Sequence, residues 1–558
     1  MRFMNARKII SLLVLCAFVL SMVAVSVGAE ELAPFPSSTP VKKLGKIKVG
    51  VWYFGYEGDV KNNVWTKWIN ENCPVDVEFV PQDRITDETK VIPAIFSAGN
   101  APDYVHVYMG KIIRDLYAKK QIKVLDDIVS KYSVEYKAML KKYPGADVAS
   151  RADDGKMVSF VRAEEPALTE VALIRADWLE KKGLKMPETI DDFFNVAKAF
   201  TTGDPDGNGK KDTYGFHLGG LGRNFLANAF GYNDLDYKKF RPYIVSDGKL
   251  TLPWGNIQNH VNFMKKMNQA GIVMGAPADD VDGSKAGKAF QEGKLGILFA
   301  NRDLTGLPNS GQDTFTKFRE KMGNKVKLAV LKMPKTNAGS FGYGVNKCFG
   351  TVAVLNAKST KAELVMKYQD FMTTEKVAKF LKFGAEGRHY RIRPDGTGLD
   401  LIDNAVTEAE TGKKRALMQD YQHNTCGMLP LKDCDGQGRI KLDQPFGKEL
   451  YGLMNQAKAV KGKEPIYIKS DYVLFKDSKM NKQETEVTKK IREYYNKCIT
   501  TASYTPEQMI KDMQKAWKDG GGEAIFKYYA DWYKASKKSI ITSEHTNNLE
   551  VAKFPELK

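Results

Sequence analysis

Two spacings of apolar residues organise the chain. Val75-Asp76-Val77-Glu78-Phe79-Val80 alternates apolar and polar, as a half-buried strand does. Short apolar runs at Ile47–Tyr53, Asp103–Tyr108, Met157–Val161, Val171–Ile174, Tyr214–His217, Leu295–Phe299, Val326–Leu331 and Gly350–Leu355 read as further strands. Between them, apolar positions recur at helical spacing over Asn63–Asn72, 86–98, Asp177–Lys182, Ile190–Phe200, Ile257–Ala270 and Lys361–Lys382. Strands that alternate with helices predict βαβ units and a mainly parallel sheet, here in two α/β units. From about residue 446 the pattern turns helical, at 446–460, 483–499, 505–518 and 523–537, and this segment must pack on one of the two units. The polar tail 541–558 is expected to be loose. No repeat of solenoid period is present.

The first 29 residues follow a different logic. Arg2, Arg7 and Lys8 precede an apolar run from Ile9 to Val27, and Val27-Gly28-Ala29 offers small residues before the acidic Glu30-Glu31. This is the layout of a secretory signal peptide cleaved after Ala29. An uncleaved anchor is the competing reading, because the run approaches spanning length. Cys16 lies inside the run behind the large Leu15, so no lipidated cysteine is expected and the exported protein is expected to carry no lipid anchor. Residues 30–44, with Pro34, Pro36 and Pro40, read as an extended linker.

Composition narrows the class. The 558 residues are 43% hydrophobic and 27% charged, a globular mixture that excludes a disordered chain and a multi-pass membrane protein. The net charge is +18, and loss of the three cations of residues 1–29 leaves the processed chain at +15, which favours anionic partners at long range. Five cysteines follow the leader: Cys73, Cys348, Cys426, Cys434 and Cys498. The odd count leaves at least one thiol unpaired in a monomer, and spacing alone fixes no pairing. No basic cluster interleaved with aromatics points to nucleic acid. Serine-elbow, zincin and P-loop motifs are absent, and no spacing isolates a carboxylate pair, so catalysis is not expected.

The sharpest local chemistry is an acidic loop. Asp204, Asp206, Asn208 and Asp212 occupy positions 1, 3, 5 and 9 of a calcium-loop pattern, Gly209 stands at the sharp turn, and Lys210 can offer its carbonyl. Position 12 is Gly215 in place of a bidentate glutamate, and a strand follows, so the reading is a structural helix–loop–strand Ca2+ site and not an EF-hand. A solvated Asp/Gly turn without an ion is the alternative.

Four segments carry a family resemblance, in order over residues 45–395. They are Ile95–Asp103 (similar to ASGDLPD), Leu173–Leu179 (IRKDWL), Pro187–Phe193 (P-x-T-x-D-E) and Phe383–Tyr390 (YGIEGxHY), with the acidic loop between the third and fourth. The chain resembles the extracellular solute-binding proteins, family 1, of bacterial ABC importers, in particular the large oligosaccharide binders with a calcium loop, such as the LipO-like lipoproteins and the alginate-binding proteins. The last third matches only in helical character. The resemblance implies an α/β, two-lobed periplasmic-binding-protein-like fold of type II, with parallel-rich sheets flanked by helices. It implies lobe 1 from 45–161 and 345–425, and lobe 2 from 162–344 and the helical 426–540. It further implies a monomer without catalysis that closes on an oligosaccharide and delivers it to the transmembrane subunits of an ABC permease, with calcium held by Asp204, Asp206, Asn208, Lys210 and Asp212. Thr213 stands where the alginate binders often have an acidic residue, and the lipidated cysteine of the lipoprotein branch is missing.

Sugars are held by aromatic faces and by planar polar groups, and ligands of α/β sheets sit beyond strand carboxyl ends. Trp52, Tyr53 and Tyr108 close strands, Arg162 and Arg302 follow strands, and Trp254 sits in the apparent loop Leu252–Gly255. His389 and Tyr390 close a family segment, and His217 ends a strand beyond the acidic loop. These nine are the candidate ligand contacts, with core packing as the alternative for each aromatic. Trp65, Trp68, Trp178, Trp517 and Trp532 lie in helical stretches and are assigned to packing. A surface adhesin without its own permease and a peptide binder on the same fold are the rival functions.

Overall fold

The architecture is taken from a computed structural model. It describes residues 41–53, 58–83, 88–107, 110–164, 166–233, 240–275, 283–301, 314–347, 349–394, 424–429, 446–469, 478–537 and 540–551, with a few short stretches besides. The leader, Tyr108, Arg302, Cys348 and Cys434 lie outside the described residues.

Nine strands form two main sheets: β1 Lys46–Tyr53, β2 Asp76–Asp83, β3 Tyr104–Val107, β4 Phe160–Glu164, β5 Glu170–Arg175, β6 Ile297–Asn301, β7 Leu328–Val330, β8 Phe349–Leu355 and β9 Met428–Leu429. The first sheet has the order β9-β4-β8-β3-β1-β2 and the second β6-β5-β7. β1, β2 and β3 are parallel, β8 runs against β3 and β4, and β9 is parallel to β4. The second sheet pairs entirely antiparallel. Strand–helix alternation predicts parallel pairs there, but β5 leaves a lobe crossing and meets strands that return toward it, so its neighbours run the opposite way.

Two apolar cores follow the sheets. One joins residues 47–163 with 349–381, Tyr421, Cys426 and Ile541. The other joins 168–345 with the C-terminal helices Gly447–Ala459, Ser478–Thr500, Pro506–Asp519 and Gly522–Ala535. These helices are amphipathic, and their apolar stripes pack into the core of the second lobe. Buried Lys265, on the helix Trp254–Gln269, fixes one contact by donating to the carbonyls of Thr501, Ala502 and Tyr504 at 2.9, 3.0 and 2.6 Å, just past the end of Ser478–Thr500. That supplies acceptors at a helix end with a cation, which the helix dipole also favours.

Local signals set the boundaries. Asn63 and Thr66 form a reciprocal cap for Val64–Asn72, and Thr189 with Asp192 does the same for Ile190–Thr202. The stretch 361–382, expected as one helix, is two: Ala362–Thr373 and Glu375–Phe383, separated by extended Thr374 (φ −64°, ψ 148°), whose hydroxyl donates to Phe371 O at 2.8 Å. The tail from 541, expected to be loose, is packed over its described part. Ile541 is buried in the first core, Ile540 and Val551 in the second, and Ser543 N and Lys469 N pair with Tyr467 O and Ile541 O. Its scattered Ile and Val side chains are enough because two preformed surfaces meet around them. Cys73, Cys426 and Cys498 are buried thiols whose pKa burial pushes up to about 11, 12 and 11. Among the described residues no helix is long and apolar enough to cross a membrane.

Candidate functional site

The strand directions decide where a ligand can sit. β1 to β4 all end on one edge of the first sheet, at Tyr53, Asp83, Val107 and Glu164. β4 leads through 165–169 into β5, and β7 returns through 331–348 into β8. The two crossings pair with each other: Thr169 N donates to Gly344 O and Asn346 N to Ala167 O, both at 2.8 Å, around the antiparallel pair Leu168 and Val345. In the second sheet, Glu170 at the start of β5 lies opposite Asn301 at the end of β6. The carboxyl edge of the first sheet and this edge of the second therefore both flank the crossings, which is where a ligand of such α/β units is expected.

On the first edge the structure places Tyr53, half-buried, and Arg162, whose Nη2 lies 2.5 Å from Glu164 Oε1. Trp52, one residue earlier, is 1% exposed, and both its backbone groups are held by Asn424: Trp52 N donates to Oδ1 at 2.7 Å and Nδ2 donates to Trp52 O at 3.0 Å. Trp52 is thus a core residue and not a cleft contact. Its pattern in sequence is the same either way, because the face a strand residue takes is fixed only relative to a partner that the sequence does not show.

The other candidates disperse. His217 is buried in the second lobe, where Phe299 N approaches its Nε2 at 3.5 Å. Burial, opposed by Asp280 and by a backbone acceptor at Gly219, lowers its pKa to about 4, so it is neutral packing material. Trp254 is no loop residue. It opens the helix Trp254–Gln269 and stacks on Phe240 at 5.6 Å between centroids, against the second core. Pro253 before it makes the segment read as a loop, but proline is equally at home at a helix start. His389 is buried with Nδ1 accepting from Ala385 N at 3.0 Å, and its ring fills the space a side chain at Gly384 (φ +83°) would need. It holds a turn closed. Tyr390 is half-buried and packs edge-on against Phe383 at 6.1 Å, in a small satellite cluster with Leu399. Asn424 is a structural member of the site that no sequence signal marks, since 372 residues separate it from the strand end it holds.

The acidic loop follows the helix Ile190–Thr202. Asp204 (φ +46°) receives Gly207 N and Asn208 N on Oδ1 at 3.0 and 3.1 Å and Gly209 N on Oδ2 at 3.1 Å. Desolvation opposes those donors, and they still hold its carboxyl below the usual range. Asp206 moves the other way, raised by desolvation and by the Asp204 carboxyl beside it. Asp212 is lowered by Asn208 and by Lys294, whose Nζ lies 3.5 Å from Oδ2. Asn208 Nδ2 donates to Asp206 Oδ2 at 2.9 Å and to Asp212 Oδ1 at 3.1 Å, so an amide bridges the two carboxylates. The donor set is all hard oxygen and fits a calcium-sized cation in kind. Among the described residues, however, no three acidic, His or Cys side chains converge on one point, and Asn208 must give up its two bridges before they can.

Comparison with known proteins gives the wider context. The family description "Bacterial extracellular solute-binding protein" matches residues 56–379. The polygalacturonan/rhamnogalacturonan-binding protein YtcQ of Bacillus subtilis is 25% identical over 491 residues, covering 84% of this chain and 86% of the relative. A solute-binding protein of an HMO-binding ABC transporter from Bifidobacterium longum infantis has TM-score 0.63 at 17% identity, over 88% of this chain and 99% of the other. An EF-hand mutant of the S. pneumoniae ABC-transporter substrate-binding protein FusA, solved with fructo-nystose, has TM-score 0.54 at 20% identity, with coverages of 88% and 99%.

Proposed function

The chain belongs to the bacterial extracellular solute-binding proteins, and from that premise we propose that it captures an oligosaccharide between its two lobes and delivers it to the transmembrane subunits of an ABC importer. One observation carries the reading: two α/β lobes whose strand edges both flank paired crossings, an arrangement in which one ligand can touch both lobes and favour the closed state. The ligand class we propose is an acidic glycan of the pectic kind. The net charge of +15, left when the three leader cations are lost from +18, supports it, as does the similarity, over 84% of this chain, to a polygalacturonan/rhamnogalacturonan binder. Tyr53 and Arg162 are the proposed contacts from the first edge, Tyr53 stacking on a sugar face and Arg162 presenting a planar cation to a uronate. Tyr390 is a proposed outer contact. The protein acts as an exported monomer and performs no catalysis.

Calcium is part of the same proposal. Asp204, Asp206, Asn208 and Asp212, with the Lys210 carbonyl, would hold it, and it would neutralise carboxylates two of which now share the Asn208 amide donor. The support is the donor chemistry and the opposed shifts of Asp204 and Asp206.

The test is the melting temperature of residues 30–558 against galacturonan, rhamnogalacturonan, fructan and milk oligosaccharides. A rise confined to the acidic sugars is expected. A rise with neutral sugars only refutes the acidic class, and no rise across the panel removes the sugar reading in favour of a peptide ligand or an adhesin.

A further inference from the structure

Beside the crossings lies a buried ionisable cluster that ligand contact does not use. In the antiparallel pair Leu168–Val345 the two bonds come from the flanking residues, so Val345 turns its own N–H and C=O away from Leu168. Side chains of the 464–469 segment take both. Val345 N donates to Glu464 Oε2 at 3.2 Å, and Lys469 Nζ donates to Val345 O. Lys469 Nζ also donates to Glu464, as does the Tyr467 hydroxyl. Gly344 permits this approach, because a Cβ there would stand 2.5 Å from Thr169 Oγ1 and 3.0 Å from Glu464 Oε1. Two side chains thus stand where a third strand of the crossing ribbon would be.

A second carboxyl shares the site. Glu170 follows the 165–169 crossing directly, is 5% exposed, and receives Asn224 Nδ2 at 3.3 Å on each oxygen. The titratable groups facing it are Glu464, Lys469, Tyr467 and Tyr343, the last bound to Leu331 O and receiving Ala172 N at 3.2 Å. The Lys469 ammonium is in contact with Glu464 and acts on Glu170 only through space, which leaves Glu170, among the described residues, a buried carboxyl without an ion-pair partner in contact. Burial, then the charge of Glu464, push Glu170 up to about 8, against the pull of Asn224 and Lys469.

We propose that Glu170, Glu464 and Lys469 form a proton-set latch on the interlobe hinge. With Glu170 protonated, Lys469 is wholly committed to Glu464 and Val345. With Glu170 ionised, the ammonium is divided between two carboxylates, its hold on Val345 O weakens, and the crossing ribbon opens more readily. The latch does not depend on which solute the cleft accepts.

The experiment is amide hydrogen exchange on residues 30–558 without sugar, at pH 6.5 and 9.0, corrected for intrinsic exchange rates. Protection of 167–169 and 344–346 should fall about tenfold at pH 9.0 in the wild type, the effect of one pH unit above the transition. It should stay constant in Glu170→Gln, and protection of helix 506–519 should stay constant in both. Lys469→Met should show the low protection already at pH 6.5. An equal fall in Glu170→Gln, or no fall in the wild type, overturns the proposal.

Discussion

Asn424→Ala tests how the cleft edge is built. Among the described residues β3 pairs with β1 at Val49 and Gly50 alone, so the described ladder on that side of β1 stops short of Trp52. The Asn424 amide continues it, accepting from Trp52 N at 2.7 Å and donating to Trp52 O at 3.0 Å, in a site where both residues are 1% exposed. Truncation removes both bonds and leaves a buried N–H and C=O without them. Each costs about 1–3 kcal/mol, so the loss is about 2–6 kcal/mol, and water entering the small void can recover part of it. The assay is urea unfolding followed through fluorescence, read at the first-lobe transition because two lobes need not unfold as one. Hydrogen exchange of residues 50–53 gives a local readout. If Asn424 continues the ladder, both the midpoint and this local protection fall, and sugar binding weakens because Tyr53 follows directly. A loss below about 0.5 kcal/mol with unchanged protection at 50–53 would refute the reasoning, since it lies under the net value of even one ordinary hydrogen bond.

Four further outcomes are expected. His217 has a folded pKa of about 4 against 6.5 when unfolded. Its contribution is therefore intact above pH 6.5 and lost as pH falls toward 4, about 3 kcal/mol in all; acid unfolding of wild type against His217→Gln checks this through a shallower pH slope in the variant. Trp254→Ala should cost about 1–3 kcal/mol of second-lobe stability through its lost stack on Phe240, while sugar affinity in calorimetry stays near the wild-type value. Calcium at 100 times its dissociation constant should add about 2.7 kcal/mol of stability; a melting temperature that ignores both calcium and chelator in ion-free protein sinks the metal reading, and Asp204→Ala with Asp212→Ala should abolish the calcium response. Removal of residues 541–558 takes Ile541 out of the first core and Val551 out of the second. Both lobes should melt earlier, and a variant that melts like the full chain would return the tail to the surface.

The sequence by itself determined most of the local order. Period-two and period-3.6 patterns located β1, β2, β5, β8 and the C-terminal helices within a few residues, because each pattern is a short-range consequence of which side chains must leave water. The family resemblance and the acidic loop were legible for the same reason: their residues are contiguous. Short helices such as Asp126–Tyr132 and Pro144–Ala149 escaped, since six or seven residues show too little of a period. Only the tertiary structure decided the rest. It made the pairs of β5 antiparallel, put Trp52 and His217 inside, drew Trp254 onto a helix, and closed the tail over both cores. It also brought Asn424 to Trp52, and Glu464 and Lys469 to Val345. Each of these depends on which segments meet across hundreds of residues. Burial and hydrogen-bond satisfaction are properties of that meeting, and no window along the chain contains it.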